Sequence, residues 1–332
     1  VTELPWTPCS ATGIGSLPGT DPLSACTEVL QALPDLPHLP ELPARGVGAD
    51  VVGRTAALLV DLPIETAPSG WQVAARPGSD QRRAMSLLEE DMTALAVAAH
   101  GWAGPLKVQV LGPISLAAAL GQPRGEAAVS DAGLLRDLTA SLAEGVAGHL
   151  AEVRSRVPGA TVVLQVDEPS LPAALTGTLA TRSGWGRIAP VEEQLARSAL
   201  GQVLQVHPDR AARLVHCCAD RPPVGLVVAA GAGGVAVDLD RISQIDWNPL
   251  AEAVDAGAAL VLGAVPTTSG RSSAQAAQQV RSLWSRLGFG LDVMRERTLV
   301  SPACGLARAS LEQAREVYRT AREAAARLAE HD

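Results

Sequence analysis

Residues 258–302, AALVLGAVPTTSGRSSAQAAQQVRSLWSRLGFGLDVMRERTLVSP, contain the alternation on which the fold turns. The run 258–265 (AALVLGAV) is short, apolar and bounded by Gly257 and Pro266, as a buried strand is. The stretch 272–287 is helix-like, and 297–302 (RTLVSP) returns to β-rich sequence. A strand, a helix and a second strand in that order predict two parallel strands joined by a helical crossover.

The same unit repeats outward toward both ends. Further strands are expected at 11–16 (ATGIGS), 55–62 (TAALLVDL), 106–112 (LKVQVLG), 161–167 (TVVLQVD), 212–218 (ARLVHCC) and 233–239 (GGVAVDL). Helix-like stretches lie at 83–101, 131–156, 189–205 and 309–330; the last opens on a Ser cap and is rich in strong helix formers. Eight strands interleaved with helices make a parallel sheet, and eight is the number that closes into a barrel. The expected architecture is therefore α/β, a (β/α)8 TIM barrel forming a single domain over 1–332, with loop insertions at the catalytic end. A doubly wound open sheet is the alternative, but no third glycine follows Gly13 and Gly15 to complete a dinucleotide-binding turn.

Two stretches read as excursions from this repeat. Residues 34–54 hold PDLPHLPELPARG, whose Leu-Pro pairs favour extended backbone over helix. Residues 66–82 read as a long loop. Loops that follow barrel strands lie at the catalytic end, so both suit a lid or wall of the mouth; 34–54 equally suits packing against the barrel.

Composition supports a large folded core: 47% of residues are hydrophobic and 19% charged, which argues against disorder. Aromatics are only 2%, so small aliphatic side chains must fill that core. Arg far outnumbers Lys, a bias that reflects genome composition more than function. A net charge of -8 without any basic run argues against nucleic acid. The N-terminal residues lack the pattern of a signal peptide, and no stretch is long and apolar enough to span a membrane. Five unevenly spread cysteines do not make a disulfide framework. A reducing cytoplasm is the expected location, with thiols left free for metal.

The chemistry concentrates near the ends of the later strands. In Leu214-Val215-His216-Cys217-Cys218, alternate residues share a face, so His216 and Cys218 point one way and Cys217 the other. In the next strand Ala236, Asp238 and Asp240 share the inward face, although an aspartate there equally caps the following helix. Cys304 stands just beyond the last strand, followed by Gly305. Together His216, Cys218 and Cys304 make a three-ligand set with one position left for substrate, which suits catalytic zinc; sulfur-rich ligation disfavours magnesium and calcium.

This arrangement resembles the cobalamin-independent methionine synthase family. His-x-Cys after one strand, an acidic residue ending the next, and Pro302-Ala303-Cys304-Gly305-Leu306 after the last are similar to that family's zinc site. Gln165-Val166-Asp167-Glu168-Pro169, Thr12-Gly13-Ile14-Gly15-Ser16-Leu17-Pro18 and Leu111-Gly112-Pro113 resemble its other motifs, in its order. The resemblance implies that Zn²⁺ is bound by His216, Cys218 and Cys304. Asp238 stands at the place of the family's fourth ligand, a glutamate, and Asp240 is the other candidate. It implies further that Asp167, with Gln165 one step deeper, receives the amino group of homocysteine, that Ser16 holds its carboxylate end, and that Glu65 offers a second carboxylate to the amine.

Two departures matter. The family's full-length enzymes carry a second barrel that helps bind a folate donor, and the region where the family has its catalytic histidine, just after the seventh strand, reads Gly263-Ala264-Val265-Pro266-Thr267-Thr268-Ser269, with no histidine. The expected activity is zinc-dependent methyl transfer to homocysteine, with either a methyltetrahydrofolate-type molecule or a corrinoid protein as donor. A corrinoid-linked methyltransferase with another thiol acceptor, and a zinc-containing barrel that binds a thiol or amino acid without catalysis, are the alternatives.

Overall fold

The computed structural model describes residues 4–330 apart from 124 and 269. Its strands are β1 (Ser10–Ala11), β2 (Ile64–Ala67), β3 (Gly70–Val73), β4 (Gly104–Leu111), β5 (Ala160–Asp167), β6 (Arg213–Cys217), β7 (Gly234–Asp238), β8 (Ala259–Val265) and β9 (Thr298–Pro302). The helices of the first half are α1 (Pro22–Ala32), α2 (Val51–Ala56), α3 (Ser79–Ala98), α4 (Pro113–Ala119) and α5 (Ala132–Arg156). Those of the second half are α6 (Leu171–Thr176), α7 (Glu193–Leu204), α8 (Val224–Ala229), α9 (Trp247–Asp255), α10 (Ser273–Leu287), α11 (Leu291–Arg297) and α12 (Leu311–Ala329). Among the described residues no helix is long and apolar enough to cross a membrane.

Seven strands form one parallel sheet in the order β1-β9-β8-β7-β6-β5-β4. The gap between its two edges, β4 and β1, is filled by residues 36–42, the Leu-Pro stretch. On one side the Leu39 amide donates to the Lys107 carbonyl at 2.9 Å and the Lys107 amide to the Pro37 carbonyl at 2.8 Å. On the other, the Glu41 amide donates to the Gly15 carbonyl at 3.1 Å and the Leu17 amide to the Glu41 carbonyl at 2.8 Å. The ring of eight is thereby closed, and the barrel expected from the sequence is the fold found.

The second barrel strand is not where its apolar pattern suggests. The run 55–62 begins inside α2, whose N-cap Asp50 accepts from the Gly53 amide at 2.9 Å, and continues as turns. A short apolar run does not by itself distinguish a strand from a buried helix. The 36–42 segment closes the ring despite its prolines because the amides it needs, Leu39 and Glu41, lie between them. Its Leu36, Leu39 and Leu42 are all 1% exposed or less. The 66–82 stretch is not one loop: it contains part of an antiparallel hairpin, β2 with β3, and the first turn of α3.

Two apolar clusters divide the interior. The larger lies between the strands and the surrounding helices; the smaller joins Trp6, Leu36, Val163, Leu214, Ala236, Val261 and Leu299. Strand alternation separates Leu214, in the small cluster, from Val215, in the large one, so the small cluster fills the barrel itself. It sits toward the N-terminal ends of the strands. The same inward faces continue upward as Gln165 and Asp167 on β5 and His216 on β6, so the upper half of the barrel is polar.

Candidate metal and substrate site

His216, Cys218 and Cys304 converge at the C-terminal ends of β6 and β9, with one ligand atom from each lying within 4.8 Å of the others. The two sulfurs are 3.5 Å apart. Tetrahedral Zn²⁺ with Zn–S bonds of about 2.3 Å would set them about 3.8 Å apart, so the observed spacing suits a shared ion. His216 is 3% exposed, and its Nε2 has no hydrogen-bond partner among the described residues. A buried ring nitrogen with no partner among the described residues, on a histidine grouped with two thiols, fits a metal ligand. The thiols share a hydrogen bond, which pulls the Cys304 thiol below its ordinary range and raises that of Cys218. Cys217 is buried, and burial pushes its thiol up to about 12.

Strand register puts the next group in place. Asp167 is paired with His216 across β5 and β6, and Asp167 Oδ1 lies 2.9 Å from His216 Nδ1. Gln165 Nε2 donates to the same Oδ1 at 2.8 Å and to the Ile14 carbonyl at 2.8 Å. Lys107 Nζ donates to Gln165 Oε1 at 2.6 Å and to the Ile14 carbonyl at 3.1 Å. Lys107 is completely buried, and burial brings its ammonium down to about 8 against the opposing pull of Asp167 and Glu41.

Ser16 reaches the site from the segment that follows β1, where it bridges to Glu41. Its carbonyl accepts from the Leu306 amide at 2.7 Å, and its Oγ occupies the space a Cβ on Gly305 would need. Glycine at 305 therefore permits the hydroxyl to lie directly beside the Cys304 turn.

The acidic candidates are distributed differently from expectation. Asp238 is absent from the His-Cys-Cys group: its Oδ1 accepts from the Asp240 amide at 3.0 Å and its Oδ2 lies 3.4 Å from Arg241 Nε. Asp240 pairs with Arg271 at 2.8 Å and receives Gln279 at 2.9 Å. Glu65 lies on the β2–β3 hairpin, where Gln72 Nε2 donates to it at 2.9 Å. Sequence reading missed Glu41, which bridges to Ser16 in parallel register, is 5% exposed, and accepts from Gln109 Nε2 at 3.1 Å. Burial raises its carboxyl above the ordinary range, while the Arg54 guanidinium opposes this. The one signal for it was a carboxylate set within a run of leucines and prolines that end up buried.

Glu168, next to Asp167, takes no part in this cluster. It accepts from the Ile114 and Ser115 amides, each at 2.9 Å, and so caps the first turn of α4.

The family model described as "Cobalamin-independent synthase, Catalytic domain" matches residues 9–327. Among solved structures, a B12-independent methionine synthase from Shewanella sp. W3-18-1, in complex with selenomethionine, is 12% identical with a TM-score of 0.59. That match covers 97% of this chain and 98% of the other, and at such identity it speaks to the fold. A psychrophilic glycoside hydrolase family 10 endo-beta-1,4-xylanase is also 12% identical, with a TM-score of 0.36 over 71% of this chain and 81% of its own. No curated protein matches in a sequence search. With the family's model spanning the strands that carry His216, Cys218 and Cys304, the chain belongs to the cobalamin-independent synthase catalytic-domain family.

Proposed function

We propose that this chain transfers a methyl group from a folate-type donor to the thiol of homocysteine, forming methionine, at a Zn²⁺ site made by His216, Cys218 and Cys304. The observation that carries the reading is the convergence of buried His216, whose Nε2 has no partner among the described residues, with two sulfurs 3.5 Å apart. Three protein ligands leave one position of a tetrahedron for a substrate sulfur.

Free thiols have a pKa of about 8.5, so little thiolate is present at neutral pH. Bound Zn²⁺ would hold the acceptor sulfur as its thiolate. The protein's own task is then to orient the rest of the amino acid. Asp167 and Glu41 offer carboxylates to the ammonium, and Ser16 Oγ, pressed against Gly305, offers a hydrogen bond to the carboxylate end. Glu41 takes the role that Glu65 was expected to fill. In the transfer an S–CH₃ bond forms as the donor's N–CH₃ bond breaks; the electron pair stays on that nitrogen, which takes up a proton equivalent to the one the thiol gave up.

Membership of a cobalamin-independent family supports a folate-type molecule over a corrinoid protein as donor. The test is metal analysis followed by methyl transfer to homocysteine from methyltetrahydrofolate (with and without a polyglutamate tail) and from a methylcorrinoid. Zinc at one per chain and methionine formed from the folate support the reading. Homocysteine bound tightly, with no methionine from any donor, would instead make this a binding protein.

A further inference from the structure

We propose that Lys107 is a positioning residue: through Gln165 and Asp167 it fixes the ring of His216 so that Nε2 is the nitrogen presented to metal. This deepens the zinc reading above and rests on it.

The argument begins with composition. Lys107 is the single lysine of a chain that otherwise uses arginine for its positive charge. The one lysine is 0% exposed, in the middle of the barrel. A compact ammonium on a slender stem fits there; a planar guanidinium with five donors would need acceptors in a different pattern.

Each link then dictates the next. An ammonium only donates, so the oxygen of the Gln165 amide must face Lys107, at 2.6 Å. The amide nitrogen is thereby turned the other way, to Asp167 Oδ1 at 2.8 Å and to the Ile14 carbonyl at 2.8 Å. Were the amide reversed, its oxygen would meet the carboxylate and its NH₂ the ammonium. Held by that donor, Asp167 Oδ1 stays 2.9 Å from His216 Nδ1. A carboxylate accepts, so Nδ1 carries the proton and Nε2 keeps the lone pair that it can offer to a metal shared with Cys218 and Cys304. Among the described residues Lys107 Nζ donates to Ile14 and Gln165 and not to His216, Cys218 or Cys304, so its influence must pass along the chain.

The experiment measures Zn²⁺ affinity by chelator competition in four proteins: wild type, Lys107→Met, Asp167→Ala and the double variant. Partners of metal ligands commonly contribute about 10–100-fold in affinity, so Asp167→Ala should lose that much. Lys107→Met, similar in shape and without the charge, should lose about threefold to tenfold, and should add nothing when Asp167 is already alanine. A merely structural lysine would leave zinc affinity unchanged, or would add its effect independently of Asp167; either result overturns the proposal. In metal-free wild-type protein, ¹⁵N NMR of the His216 ring should show the proton on Nδ1, and a proton on Nε2 would equally overturn it. If wild type binds no zinc, the functional reading above fails, while the ring-nitrogen measurement still decides the relay.

Discussion

The hydroxyl of Ser16 lies in the space that a side chain on Gly305 would fill, so its place beside the turn after Cys304 depends on residue 305 having no Cβ. The obstacle is the tip of a serine, which can rotate away. Gly305→Ala should therefore cost little stability but swing Ser16 Oγ out of position. Homocysteine affinity should fall by about 10–100-fold, the range for losing a hydrogen bond to a charged group. Ser16→Ala should weaken binding equally, and combining the two should be no worse than either. Calorimetric titration of the zinc-loaded proteins checks this, and a double variant much weaker than both singles would refute the shared cause.

Cys218→Ala and Cys304→Ala should each reduce zinc from one per chain to nearly none after dialysis. Both residues are only partly buried and stand beyond the ends of their strands, so the barrel should stay folded with its circular dichroism unchanged. Metal analysis of the dialysed proteins decides the point; stoichiometric zinc in either variant counts against the assigned ligand.

Most of the barrel was legible in the sequence for a physical reason. β4 through β9 are short runs rich in Val and Leu, and each expected strand lies within two residues of the observed one at either end. Parity along β6 alone placed His216 and Cys218 on one face. The second strand was hidden because Pro37, Pro40 and Pro43 contradict every strand propensity, while its partners supply the pairing the prolines cannot. Missing that strand also hid Glu41, which travels with it, whereas Glu65 lies on a hairpin. The Asp167–His216 hydrogen bond depends on register between β5 and β6, which no single strand's pattern reveals.

The two carboxyls allow a direct comparison. Glu41→Gln replaces a buried carboxyl beside Ser16, and should raise the KM for homocysteine by about tenfold or more, within the range for hydrogen bonds to charged groups. Glu65→Gln should leave it within about twofold, because the hairpin carboxylate already pairs with Gln72. Steady-state kinetics with both variants separates them. A large effect at Glu65 and none at Glu41 would return the role to the hairpin.

Acid should destabilise this fold through its buried histidines. Burial holds the His149 imidazole down at about 4, helped by the Arg54 charge, and holds His38 at about 3. Both folded-state values lie below the 6.5 of a free histidine, so the unfolded chain binds protons first. Stability is therefore complete above about pH 6.5 and falls as pH drops toward the folded values. Between pH 7 and pH 5 each such histidine should cost about 2 kcal/mol. His149 makes the cleaner test, because its Nδ1 has no hydrogen-bond partner among the described residues, whereas His38 Nε2 is bonded to the Tyr318 hydroxyl at 2.8 Å. His149→Leu should unfold in urea with a smaller loss of stability between pH 7 and pH 5 than the native protein shows. Equal losses would mean that the imidazole is solvated in the folded state and that the acid sensitivity arises elsewhere.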